Sequence, residues 1–145
     1  MVSVISSAPP PTEYVLDACA MLAFLLREPG AVVVDTLMSA ANTICYAHAV
    51  NLCEVYYDFV RNHGQPTAKQ VIQDLLKAGV VLRDDLDIGF WQQVGDLKVT
   101  PGKLSLADCF ALTLALKLGA ILVTSDHHEF DPVASSGLQS ILFIR

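Results

Sequence analysis

A chain of 145 residues is most simply one domain. With 53% hydrophobic and 17% charged residues it has ample material for a core and does not read as disordered. The formal net charge is −6 and the nine Lys and Arg residues are scattered, so the basic footprint of a groove-reading nucleic-acid module is missing.

The predicted elements alternate along the chain. Met1 to Thr12 has neither a basic n-region nor an apolar h-region, so it is not a secretory signal. Its Ser6–Pro11 stretch reads as a flexible or polyproline lead-in, which leaves residues 13–145 as the domain. Tyr14–Leu16 is a short strand. Ala18–Arg27 is apolar nearly all round and reads as a buried helix that Pro29-Gly30 breaks. Ala31–Ala41 is a second helix, and β-branched, apolar Thr43–Tyr46 a second strand. From His48 to Asn62 the residues Leu52, Val55, Tyr56, Phe59 and Val60 recur at helical spacing, and His63-Gly64 closes that helix. Thr67–Ala78 is another helix, followed by a strand at Val80–Leu82 and a helix at Leu86–Leu97. Pro101-Gly102 is a loop. Leu106–Leu118 is an amphipathic helix stopped by Gly119, Ile121–Val123 a fourth strand and Ile141–Ile144 a fifth. His127-His128 reads as a solvated loop, Asp84-Asp85 as an exposed turn, and Trp91 as a core or interface residue.

Short apolar strands that alternate with helices predict an α/β fold. The expected form is a three-layer α/β/α arrangement around a mostly parallel sheet of about five strands. Ligands of such sheets bind beyond the carboxyl ends of the strands. Four carboxylates fall where that edge should be. Asp17 follows the first strand and Asp126 the fourth, while Glu54 and Asp108 sit in early turns of helices. Acids are costly in apolar surroundings unless a cation joins them, and four that converge repel one another. The set therefore points to a divalent-metal site and, most specifically, to a metal-dependent nuclease. The acidic net charge does not exclude one, because bound cations neutralise such ligands and contact phosphates.

Each acid also has a local reading. Asp17 is a good helix N-cap. Ser105-Leu106-Ala107-Asp108 is a capping-box pattern, and the two roles coexist if Ser105 caps while Asp108 points into the cleft. Asp126 could serve a turn after Thr124-Ser125, whereas Glu54 is the only acid in an apolar stretch. The cysteines Cys19, Cys53 and Cys109 adjoin these acids. Thiolate ligation is one reading, and small apolar residues turned to the core the other. Cys45 completes a set of four without a CxxC pair, which fits a reducing cytoplasm. No run of about 18 apolar residues spans a membrane, and no P-loop, dinucleotide fingerprint or zinc spacing is present.

The segments V-L-D-A, N-L-C-E-V, L-S-L-A-D-C-F-A-L-T-L-A and I-L-V-T-S-D together resemble a PIN domain over Tyr14 to Arg145. More narrowly, they are similar to VapC-type toxins of toxin–antitoxin pairs. That resemblance implies that Asp17, Glu54, Asp108 and Asp126 hold Mg²⁺ or Mn²⁺, with Thr124 supporting the final acid. It also implies endonucleolytic cleavage of RNA, a homodimer and a cognate antitoxin, for which the helices between Ala18 and Ala41 would supply a groove. In that scheme Asp17, Glu54 and Asp108 hold a principal ion, and Asp126 completes it through water or helps a second. Two other classes share part of the pattern. A non-catalytic PIN-like binding protein would keep the acids without cleavage. A receiver-like phosphoacceptor would need an acid pair at the first strand and a late Lys, and this chain has neither.

Overall fold

The computed structural model describes residues 8–145, and Met1–Ser7 of the expected lead-in lies outside them. Strand β1 (Thr12–Leu16) begins two residues before the sequence reading, because the Thr12 N–H is taken by the Asn42 carbonyl at 3.0 Å. Then come α1 (Ala18–Leu26), α2 (Ala31–Ser39), β2 (Thr43–His48), α3 (Ala49–His63), α4 (Gln65–Lys77) and β3 (Val81–Arg83). The second half holds α5 (Ile88–Val99), α6 (Leu106–Leu118), β4 (Ile121–Thr124), α7 (His127–Ser136) and β5 (Ile141–Phe143). The boundaries differ by a residue or two from those expected, except at α7.

All four strand pairs are parallel, in the order β3-β2-β1-β4-β5. The three-layer α/β/α architecture of the sequence reading is therefore the observed one. The order is not the 2-1-3-4-5 of a receiver-like sheet. Alternation along the strands divides the core in two. Leu16, Cys45, Ala47 and Val123 face α1–α4, while Val15, Leu122, Tyr46 and Phe143 face α5–α7. Among the described residues, no helix is long and apolar enough to cross a membrane.

The stretch read as a loop at His127-His128 opens helix α7. Its composition is polar and Pro132 lies inside it, which hides it from a periodicity search. Two residues one turn apart hold it down. Phe130 is fully buried and Val133 nearly so, both in the α5–α7 core. His127 adds a hydrogen bond to Asp131 at 2.8 Å, contacts the Arg145 carbonyl at 2.7 Å, and stacks on Phe143.

Three smaller readings change. Asp85 is not a solvated turn residue. Its side chain is enclosed by Arg83 and Lys117, and the Arg83 hydrogen bonds hold its carboxyl well below the usual range. Trp91 is half exposed on α5, which removes the core half of its reading and leaves the interface half, and Cys53 is exposed on α3 and not turned to the core.

Phe130→Ala should unseat α7 and cost about 3–5 kcal/mol by cavity creation. Urea unfolding followed by far-UV dichroism reads this loss, and a change under about 1 kcal/mol would show that the helix is anchored otherwise.

Candidate functional site

The sheet order reverses between β1 and β4, so the crevice at their carboxyl ends is where two crossover directions part. Asp17 directly follows β1, with its N–H donated to the Val123 carbonyl at 3.1 Å. Its Oδ1 accepts the Ala20 N–H at 2.8 Å, so the helix-capping reading holds. Oδ2 is buried and has no hydrogen-bond partner. Thr124 ends β4, and its hydroxyl accepts the Asp126 N–H at 3.0 Å, turning the chain so that Asp126 caps α7.

The two helix-borne acids arrive by different local devices. His48 caps α3, its Nδ1 accepting the Val50 N–H at 3.1 Å. Asn51, fully buried, donates to the Ala107 carbonyl at 3.1 Å and ties α3 to the start of α6. Glu54 follows Asn51 by one turn and so faces the residue after Ala107, which is Asp108. Asp108 forms a reciprocal capping box with Ser105. Its Oδ2 accepts the Ser105 N–H at 3.3 Å, and Ser105 Oγ accepts the Asp108 N–H at 3.1 Å. The box does not consume the carboxylate, since each oxygen has two lone pairs.

Among the described residues, the carboxylate oxygens that lie within 4.8 Å of one another belong to Asp108, Asp126 and Glu129. Asp17 and Glu54 stand outside that tight triad but feel its charge, Asp17 from Asp108 and Asp126 and Glu54 from Asp108. Glu129 was not among the residues expected from sequence. It lies in the first turn of α7, where its backbone N–H is donated to Asp126 Oδ1 at 3.0 Å, and its Oε2 is buried without a partner. The signal was available as Asp126-x-x-Glu129, an N-cap followed three residues later by Glu, which also marks the start of α7.

Burial pushes the Asp17 carboxyl up to about 7, and the charges of Asp108 and Asp126 add to it. The Ala20 N–H and the nearby Thr124 hydroxyl pull the other way, although Thr124 makes no well-formed bond to Oδ2. Asp108 is raised by desolvation, then by Glu129 and Asp126; Glu54 is raised by desolvation, then by Asp108 and Asp58. Cys19 is held up to about 12 by burial and then by Asp17, Asp126, Asp108 and Glu54. It is a protonated thiol, not a thiolate. The donor set is all oxygen, with two buried carboxylate oxygens unsatisfied. That is the chemistry of a hard divalent cation.

Fold and site together define an α/β domain with an acidic crevice at the switch point of a parallel sheet. The sequence profile of the PIN domain matches residues 14–135, and the chain belongs to that family. No curated protein matches the chain in sequence. Several solved structures share its fold. VapBC-1 from nontypeable Haemophilus influenzae superposes with a TM-score of 0.69 at 15% identity, covering 92% of this chain and 98% of that one. DNA-bound VapBC from Salmonella typhimurium gives 0.68 at 14%, covering 92% and 99%. VapC20 from Mycobacterium tuberculosis, a toxin that cleaves the sarcin–ricin loop, gives 0.63 at 15%, covering 78% and 89%.

A carboxyl raised above its unfolded value stabilises the fold below about pH 4, and that stabilisation is lost as pH climbs toward the folded value of about 7. In EDTA, Asp17→Asn, which keeps the cap acceptor, should therefore be more stable than wild type at pH 8, by at most about 4 kcal/mol. The gap should close below about pH 4. Thermal melts across pH 4–8 measure it, and a gap independent of pH would show that Asp17 is not desolvated as described.

Proposed function

We propose that this chain is a metal-dependent endoribonuclease and the toxin member of a toxin–antitoxin pair. The observation that carries the reading is the Asp17 Oδ2 atom, buried and unpartnered beside Asp108 and Asp126, whose charges raise the Asp17 carboxyl further. A divalent cation satisfies that atom and removes the repulsion. Family membership and the likeness in fold to toxin–antitoxin structures support the same reading.

In this reading Asp17, Glu54, Asp108 and Asp126 hold Mg²⁺ or Mn²⁺, and Glu129 joins Asp108 and Asp126. When bound, the ion polarises water and stabilises charge building on the phosphate. The protein's own residues do the positioning. Ser105 holds Asp108 through the capping box, and Thr124 fixes the backbone ahead of Asp126. Asn51 keeps the helix carrying Glu54 against the base of α6. The substrate is RNA, and no His or Lys general acid is required.

The partners follow from the same reading. The antitoxin and a second copy of the chain would cover apolar surface that the monomer leaves open. Val32 is 78% exposed on α2, and Leu26 on α1 and Leu76 on α4 are also exposed. The four free cysteines fit a cytoplasmic protein.

Purified protein should cut a mixed RNA pool with Mg²⁺ or Mn²⁺ and not with EDTA. Asp108→Asn or Glu129→Gln should slow cleavage by at least about 10²-fold. Metal binding by calorimetry accompanies the assay. Cleavage by Asp108→Asn at the wild-type rate would sink the assignment, and absence of both cleavage and metal binding would point to a non-catalytic binding protein.

A further inference from the structure

A second concavity opens beside the acids. A cavity of about 220 Å³ runs from Glu129 between α7 and the segment that joins α5 to α6. One wall is a single face of α7, because Glu129, Pro132, Val133 and Ser136 recur at helical spacing. Leu112 forms the floor, one turn beyond Asp108 on α6. Leu97 and Leu104 close the opposite side.

The charges at this cavity contrast with those of the acidic crevice. Lys98 and Lys103 both line it, in a chain with only nine Lys and Arg residues. Arg83, Lys117 and Arg145 are already engaged in ion pairs. Among the described residues Lys98 and Lys103 form none, and both are exposed. Lys98 donates instead to the Leu104 carbonyl at 3.0 Å, which shapes the joining segment into a wall. The result is an apolar slot with two cations, continuous with the acids through Glu129.

We propose that this cleft holds one unpaired nucleotide of the RNA next to the bond that is cut, with its base between the aliphatic walls and an adjoining phosphate on Lys103. The assignment rests on the endoribonuclease reading of the neighbouring acids. Proteins that act on single strands take bases between apolar side chains and follow the backbone with cations. A cavity of this size admits one base and excludes a duplex, so the cleft selects unpaired RNA. An acidic chain also needs a cationic contact close to its acids to hold a polyanion, and Lys103 supplies it.

The test is binding of a fluorescent single-stranded hexaribonucleotide pool in Ca²⁺, which takes the same oxygen ligands. An abasic ribose-phosphate chain of equal length is the comparison. Wild type should bind the RNA at least about tenfold tighter than the abasic chain. Lys103→Ala should lower the slope of log affinity against log salt by about 0.7, the loss of one single-strand phosphate contact. Pro132→Trp, which fills the slot from an exposed turn of α7, should erase the difference between RNA and abasic chain. Equal binding of both chains by wild type, or RNA binding untouched by both variants, would overturn the proposal and leave the cleft to a peptide or to solvent. A parallel Mg²⁺ cleavage assay separates the two readings. Cleavage without base discrimination overturns the cleft alone. Base discrimination with neither cleavage nor metal binding sinks the nuclease and, with it, the placement beside a scissile bond, leaving a cleft that only binds unpaired RNA.

Discussion

The structure depends on one expensive placement, a carboxylate at the buried end of its central strand. β1 lies between β2 and β4, so whatever follows Leu16 enters the crevice where the sheet changes direction. Asp17 is 1% exposed there. An unpaired ionised carboxylate at such a depth is strongly disfavoured. One oxygen is compensated by the first turn of α1, which offers the Ala20 N–H. The other oxygen is left open, and the acids of α6 and the β4–α7 turn are brought toward it. A fold optimised only for stability would place an apolar or amide residue at that position.

Capping and site formation use the same side chains through different lone pairs, so they do not compete. Asp17, Asp108 and Asp126 each accept backbone N–H bonds at a helix start. A helix N-terminus favours negative charge and fixes the orientation of a short side chain. Three carboxylates therefore reach one crevice with their rotamers set by bonds that the helices need anyway. Glu54 is the exception. It has no cap role, and its position comes from Asn51 holding α3 against α6.

Much of this was legible in the chain. The parallel α/β sheet, most of its helices and the four acids at its edge follow from apolar strands that alternate with helical periodicity. The convergence of those acids was an expectation from sheet topology, and the tight triad came out differently. Glu129 and α7 were hidden together, because a helix with Pro132 and three polar residues at its start has almost no apolar stripe. Phe130 and Val133 are its only buried apolar anchors, and a two-residue stripe is below what periodicity can detect. Asp85 was misplaced for a related reason. Its Arg83 partner is two residues away, but Lys117, which closes the other side, is 32 away, and no local pattern reveals so distant a pairing. Local physics was readable, and contacts that depend on the packed layers were not.

Net charge is a poor guide to what an acidic protein binds, because field near a site is set by what sits within a Debye length of it. Here Asp17, Glu54, Asp108, Asp126 and Glu129 gather at the crevice, where a divalent ion would offset part of their charge. Lys98 and Lys103 stand beside that crevice, free of the ion pairs that neutralise Arg83, Lys117 and Arg145. Cations dispersed over the rest of the chain do not strengthen the field at this edge. A polyanion at this edge would meet two unpaired cations beside acids whose charge a metal would offset. Such an arrangement favours slow, selective capture over the fast, indiscriminate association of a basic protein.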